Sequence, residues 1–296
     1  MEQNEDRLAA FHRYRGVLFS IAYRMLGSVA DAEDILQEAF IRWQRSDASE
    51  IQSTRAFLVT IVSRLCINYL QSARVQREEY FGQWLPEPVL TDPDPFSMVR
   101  VDESLSMAFL VLLERLTPQE RAVLILREVF DCDYADIART LGKDEANCRQ
   151  ILRRAREHIA EMRPRFQASP QQKEQLMAEF MRATSTGDLD GLVALLSSDA
   201  VLHSDGGGKA PALPNLVHGA DNVARAILGG LARLVPRNLT PRLAQINGEP
   251  GVVSYLNGRA FAVVTLDIVQ GHIRTVYIVT NPEKLAHLGD LPAPPC

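Results

Sequence analysis

Five side chains near the middle of the chain have the types and spacing to grip nucleic acid. Arg149, Gln150, Arg153, Arg154 and Arg156 fall on one side of a stretch whose other side is Cys148, Ile151, Leu152, Ala155 and Ile159. A guanidinium binds a phosphate or pairs with the edge of guanine, and a glutamine amide pairs with adenine. A basic face that merely meets water is the plain alternative. The residues upstream favour DNA contact. Thr117-Pro118-Gln119-Glu120 combines an N-cap, a proline at the first helical position and a glutamate at the third. Tyr134, Ile137, Ala138 and Leu141 form a short apolar stripe, and Gly142 permits the left-handed turn that ends it. Asp144 can cap the next helix. A short helix, a glycine turn and a helix that is apolar inside and arginine-rich outside make a helix-turn-helix pattern.

Two further clusters lie nearer the N-terminus. Glu33, Asp34, Gln37 and Glu38 sit opposite an apolar stripe of Ala32, Ile35, Leu36, Ala39, Phe40 and Trp43, after a capping signal at Ser28–Asp31. By charge alone this acidic side is a solvated face. Thr54 can cap another helix, with Phe57, Leu58, Ile61, Val62, Leu65 and Tyr69 as its core side. Arg64, Asn68 and Gln71 share one stripe of it, and Arg74 and Arg77 add charge where the helix dipole also welcomes it.

The loop Asp205-Gly206-Gly207-Gly208-Lys209 hints at phosphate binding, but its spacing is not that of a P-loop. It reads as a tight structural or domain-contact loop. Cys66, Cys132, Cys148 and Cys296 form no metal-type spacing and read as reduced thiols, Cys296 being the most reactive. No metal and no cofactor is expected.

These clusters need positioning elements. Residues 1–77 read as a three-helix module, 78–96 as a linker carrying Pro86, Pro88, Pro93 and Pro95, and 97–163 as four more helices. A second linker at 164–170 leads to a mixed domain at 171–296. That domain opens with helices near 171–187 and 188–197, a strand at Ala200–Ser204 and a helix after Gly219. Strands near 239–246, 251–256, 260–269 and 273–280 complete it, turning at Asn247-Gly248 and Asn257-Gly258.

The 296 residues carry a net charge of −5. Residues 1–165 hold 22 Lys+Arg against 26 Asp+Glu, and residues 166–296 hold 10 against 11. Such a balance weakens binding to free DNA and favours a basic protein partner. The acidic start Met1–Asp6 lacks the character of a signal peptide, and no apolar run is long enough to span a bilayer. A soluble cytoplasmic protein is expected, without membrane contact.

Asp34-Ile35-Leu36-Gln37-Glu38-Ala39-Phe40, followed by Arg55-Ala56-Phe57-Leu58, resembles region 2 of sigma-70-type factors. Leu116-Thr117-Pro118-Gln119-Glu120-Arg121, followed by Tyr134-Ala135-Asp136-Ile137-Ala138 and Arg153-Arg154-Ala155-Arg156, resembles region 4. With no room for a region-3 domain, the resemblance is to the extracytoplasmic-function class. It implies an alternative sigma factor that directs core RNA polymerase to promoters through the beta-prime and beta subunits. Asp34, Gln37, Glu38 and Phe40 would dock on polymerase. Arg55, Arg64, Asn68, Gln71 and Arg74 would contact the minus-10 element, with the loop Arg45–Thr54 holding a flipped base. Arg149, Gln150, Arg153 and Arg154 would read the minus-35 element. Family members usually carry Asn where this chain has Arg64.

The C-terminal segment resembles a SnoaL-like domain of the nuclear-transport-factor-2-like cone fold. The implied fold class is two all-α sigma modules, the second with a helix-turn-helix, plus an α+β cone-shaped domain. Sigma factors with this attachment share motifs matched here by Trp84-Leu85-Pro86-Glu87-Pro88, Asp205–Lys209 and Asn281-Pro282-Glu283-Lys284-Leu285. They resemble factors without a separate anti-sigma protein. Trp84, Leu85, Asp205, Gly207, Lys209, Asn281, Pro282 and Lys284 are then candidates for a regulatory contact, with a small-molecule ligand of the domain as a further partner.

Two other classes remain open. SnoaL-like folds also host isomerases and cyclases, and His203, Asp205, Asp267, His272 and Tyr277 could line such a pocket. A one-component repressor would combine a helix-turn-helix with a ligand domain, but it needs no polymerase-docking helix and usually dimerises on palindromes.

Overall fold

A computed structural model describes residues 2–47, 51–78, 80–91, 103–160, 168–234, 236 and 238–291. The chain divides into two compact units. The first holds Met1–Glu79, Pro93–Leu105 and Phe109–Arg163, and the second holds Tyr80–Asp92, Ser106–Ala108 and Pro164–Cys296.

In the first unit, α1 (Glu2–Leu26), α2 (Val29–Arg45) and α3 (Thr54–Glu78) form one group. A 3-10 turn at Glu103–Leu105 and α4 (Met107–Leu113), which is counted with this unit from Phe109 on, lead to α5 (Pro118–Leu124), which runs on through a π-helical turn at Ile125–Val129. The helices α6 (Tyr134–Leu141) and α7 (Glu145–Ala160) complete the second group.

Local chemistry sets these boundaries. Ser28 caps α2 by accepting from the Asp31 amide at 3.2 Å. Thr117 and Glu120 form both halves of the capping box on α5. Gly142 ends α6 at φ 63°, and Asp144 accepts from the Asn147 amide at 2.7 Å. One cap differs from expectation: Ser53, not Thr54, accepts from the Ala56 amide. Thr54 is already the first helical residue, so the capping position falls one residue earlier.

The expected apolar stripe of α2 is buried through Ala32, Ile35, Leu36, Ala39 and Trp43. Phe40 is half-buried, edge-on to Phe11 with ring centroids 5.0 Å apart. Two buried arginines join the helical groups. Arg24, 1% exposed, donates to Ser20 and Ser104 and lies over the Phe130 ring. Arg121, 3% exposed, donates to the Met25 carbonyl at 2.6 Å and to Glu114 at 2.7 Å. A buried guanidinium is costly unless partnered, so such pairs fix geometry more than they add stability.

The second unit begins with α8 (Pro170–Thr186) and α9 (Leu189–Leu195). Here α9 stops at Leu195 and β1 (Leu196–Asp205) starts at once, four residues before the expected strand. The rest is β2 (Val217–His218), α10 (Ala220–Leu234), β3 (Thr240–Ile246), β4 (Glu249–Leu256), β5 (Arg259–Val269), β6 (His272–Val279) and the short α11 (Pro282–Leu285). The sheet order is β2-β1-β6-β5-β4-β3. Among the described residues only the β1–β6 pairing is parallel, and it carries an irregularity between Leu196 and Val201. Both expected Asn-Gly turns form, with Asn247 and Asn257 at positive φ. A third turn, Gln270-Gly271, carries no such signature in its residue types. Met177, Phe180 and Ile227 from the helices pack on Val252, Leu266 and Val276 of the sheet.

The linker departs most from expectation. Residues 80–91 are not a free extended spacer. They belong to the second unit, where Leu90 bridges Ile246 and the Thr91 amide donates to the Gln245 carbonyl. Pro93 and Pro95, the loop residues 48–50, most of the second linker and Cys296 lie outside the described residues.

Candidate functional sites

Asp205 ends β1 with its side chain fully buried. One carboxylate oxygen accepts from the Tyr80 hydroxyl at 2.6 Å and the Gly207 amide at 3.0 Å. The other accepts from the Leu85 amide at 2.8 Å and the Lys284 ammonium at 2.7 Å. Lys284 also donates to the Leu85 carbonyl at 2.6 Å and lies over the rings of Trp84 and Tyr80. A cation desolvated against two aromatic faces and a carboxylate is held far more firmly than a surface ion pair.

Asn281 completes the cluster. Its side-chain amide donates to the Tyr80 hydroxyl at 2.9 Å, and its carbonyl caps α11 at the Glu283 amide. Pro282 takes the first helical position and Lys209 pairs with Glu283. Gly207 has φ 58°, and a Cβ there would overlap the Asn281 amide nitrogen. No side chain fits at that position. Burial and the hydrogen bond to Asp205 push the Tyr80 phenol above its ordinary range, so it stays a donor.

All eight residues singled out for a regulatory contact thus gather at one place in the second unit. Sequence reasoning missed Tyr80, Gln83 and His287, which stand outside recognisable motifs. Gln83 donates to the Leu213 carbonyl at 3.2 Å, and a His287 ring nitrogen lies 2.7 Å from the Pro88 carbonyl.

The face of α7 is open. Arg149, Gln150, Arg153 and Arg154 are all exposed. Three nearby arginines are engaged: Arg149 with Glu145 and over the Tyr134 ring, Arg153 with Glu157, and Arg156 with Glu128. Arg154 has no partner among the described residues.

On α3, Arg55, Asn68 and Gln71 are exposed, and the Arg74 side chain lies outside the described residues. Arg64 is exposed yet engaged. It donates to the Thr140 carbonyl at 2.8 Å and the Arg139 carbonyl at 2.6 Å, at the C-terminal end of α6. The Thr60 and Thr140 hydroxyls meet at 3.0 Å beside it. The last carbonyls of a helix lack intrahelical donors and carry partial negative charge, so a guanidinium suits them. Arg55 opens onto a cleft that also holds Asp131, Asp133 and Asp136. On α2, Asp34 and Gln37 are exposed, Glu38 pairs with Arg42, and Glu33 pairs with Arg15.

A cavity of about 180 Å³ lies between the sheet and α8 and α10. Leu202 and Ser204 of β1 line it, as do Val264 and Ile278. Their strand neighbours His203, Asp205, Thr265 and Tyr277 alternate with them and face the other side of the sheet. None of His203, Asp205, Asp267, His272 or Tyr277 lines the cavity. The isomerase-type pocket drawn from those five residues is therefore corrected by strand register. Among the described residues no cluster could hold a metal ion, and no helix is long and apolar enough to cross a membrane.

Residues 10–75 match the family model for sigma-70 region 2, and residues 106–159 that for sigma-70 region 4. The chain is 38% identical to the ECF RNA polymerase sigma factor SigJ of Mycobacterium tuberculosis strain H37Rv, covering 94% of this chain and 92% of the relative. It is 33% identical to the probable ECF RNA polymerase sigma factor SigI of the same strain, covering 96% and 97%. The crystal structure of M. tuberculosis SigJ matches with a TM-score of 0.78 at 36% identity, covering 94% of this chain and 98% of that one.

Proposed function

We propose, since this chain belongs to the extracytoplasmic-function RNA polymerase sigma factors, that its C-terminal domain controls promoter access by holding the linker between regions 2 and 4. The chain is an alternative sigma factor that directs RNA polymerase, with a SnoaL-like domain after region 4. Sigma factors bind core polymerase and promoter DNA. In this chain the exposed Asp34 and Gln37, with Glu38 and Phe40, form the polymerase-docking face of α2. Arg55, Arg64, Asn68, Gln71 and Arg74 serve the minus-10 element. Arg149, Gln150, Arg153 and Arg154 read the minus-35 element. The protein works in the cytoplasm, where polymerase is, and does no chemistry of its own.

One observation carries the regulatory reading: Asp205 and Lys284 grip the linker by the backbone amide and carbonyl of Leu85. Regions 2 and 4 are joined through that segment, so fixing it limits how far they can separate. Arg64 supports a closed arrangement, because the carbonyls of Arg139 and Thr140 occupy a side chain placed among the minus-10 contacts. The fused domain thereby takes the part that a separate anti-sigma protein would play.

Run-off transcription with core polymerase tests this. Truncation after Arg165 removes the whole domain, and truncation just before Asn281 removes only its last latch residues. Both should change activity and polymerase affinity, the shorter deletion by freeing the linker. Activity identical to the full chain in both would make the domain a passenger.

A further inference from the structure

We propose that the cavity of the second unit binds an uncharged, mainly apolar small molecule, and that its occupancy is felt by the linker. Binding stands on the cavity alone; only its regulatory consequence rests on the latch reading.

The lining fixes the ligand class. Phe180, Met181, Leu202, Ile227, Phe261 and Ile278 line the cavity, and among the described residues no charged side chain does. An enclosed apolar cavity of about 150 Å³ binds benzene, and this one holds about 180 Å³ behind a lining that is mainly apolar with a few hydroxyls. A charged ligand would lose its hydration there with nothing to replace it. The Ser254 hydroxyl lines the space and has no hydrogen-bond partner among the described residues. The molecule that fits is a monocyclic or bicyclic hydrocarbon body with one uncharged hydrogen-bonding group, such as a phenolic hydroxyl or a ketone.

The cavity and the latch share a wall. Pro211, Leu213 and Thr280 line the cavity. The Thr280 hydroxyl contacts the carbonyls of both Pro211 and Asp205, and the Thr280 amide donates to the Asp205 carbonyl at 2.8 Å. The Leu213 carbonyl accepts from Gln83 of the linker at 3.2 Å. A ligand that orders residues 211–213 therefore orders the acceptor that Gln83 uses. Occupancy favours the held linker to the extent that the ligand binds the held form more tightly.

The full-length protein is titrated with 2-naphthol, uncharged at neutral pH, and with 2-naphthoate, the same rings bearing a carboxylate. Calorimetry should give saturable binding of 2-naphthol, with 2-naphthoate weaker by about tenfold or more. Gly230 lines the cavity, and a Cβ there meets nothing within 4 Å. Gly230→Leu should therefore fill the space and weaken 2-naphthol by about tenfold, while improving helix propensity in α10. Ala226→Met fills it from the same helix and decides the matter should the first variant not fold. With 2-naphthol bound, amide exchange at linker residues 83–91 should slow about threefold, as a ligand that favours the held state requires. Lys284→Met should abolish that slowing and weaken 2-naphthol by no more than about threefold, the limit that reciprocal coupling sets, whereas the filling variants cost about tenfold. No saturable binding, equal binding of the two probes, or binding untouched by the filling variants overturns the site. Bound 2-naphthol with unchanged linker exchange overturns the coupling.

Discussion

The Lys284 ammonium lies 2.7 Å from a carboxylate oxygen of Asp205 and 2.6 Å from the carbonyl of Leu85, so one side chain ties a strand end to the linker. Removing one member of a buried ion pair leaves the other uncompensated, which costs about 3 kcal/mol. Lys284→Met and Asp205→Asn should each lower the urea midpoint of the C-terminal domain by an equivalent amount. The double variant should cost clearly less than the two together. Additive costs would mean that the pair is not coupled.

The unengaged Arg154 should matter more to promoter binding than its paired neighbours. Arg154→Ala should weaken holoenzyme binding by about 1–3 kcal/mol if the contact is to a base, with specificity relaxed at one position. Glu157→Gln should act the other way, because it frees Arg153 and removes a negative charge from the exposed face of α7. Binding measured across a salt series checks both, and an unchanged affinity for the Arg154 variant removes α7 from the reading surface.

Arg64 should act as a clasp between α3 and α6. Arg64→Gln loses the charge from two hydrogen bonds to carbonyls, worth about 1 kcal/mol at an exposed site. Spin labels at Ser72 and Lys143 should then report a broader distance distribution. Thr140→Val, which breaks the hydroxyl contact with Thr60, should broaden it in the same direction. A distribution unmoved by both variants would show that neither contact holds the helical groups together.

Asp267 should give the C-terminal domain a pH dependence opposite to that of ordinary surface carboxylates. Burial pushes its carboxyl above the usual carboxylate range, with Arg274 opposing in part. A raised folded pKa means that the folded state holds the proton more tightly than the unfolded chain. The stability this group contributes is full at low pH and is lost as pH rises through the folded pKa. Asp267→Asn should therefore stabilise the domain at pH 7.5 and change it little near pH 4. Melting curves at the two values decide, and equal shifts would refute the assignment.

Much of the fold is legible in the sequence because its signals are local. Thr117 and Glu120 sit three residues apart, and Gly142 comes directly after the stripe it ends. Such signals specify an element wherever it packs. Motif resemblance also brings Asp205, Asn281 and Lys284 together. The features that escape a sequence reading depend on distant pairing. Arg24 and Arg121 look like breaks in apolar stretches until their buried partners are known. The proline-dense linker reads as a spacer because proline stiffens a free chain, and nothing local reveals that residues 89–91 have a sheet edge to join. Arg64 is on α3 as expected, yet its partners are carbonyls 75 and 76 positions away, beyond any window of side-chain periodicity. The polar residues considered for catalysis fail through register alone, since a shift of one residue along a strand changes the face.

Leu85 and Lys284 are separated by 199 positions along the chain. Translation at about 5–20 residues per second puts roughly 10–40 s between their syntheses. Helical modules rich in local contacts fold far faster than that. The parts proposed to read a promoter are thus made and folded before the residue proposed to restrain them leaves the ribosome. If the latch restrains them, a newborn chain passes through an unrestrained interval, and a premature stop anywhere between region 4 and Lys284 would make that interval permanent.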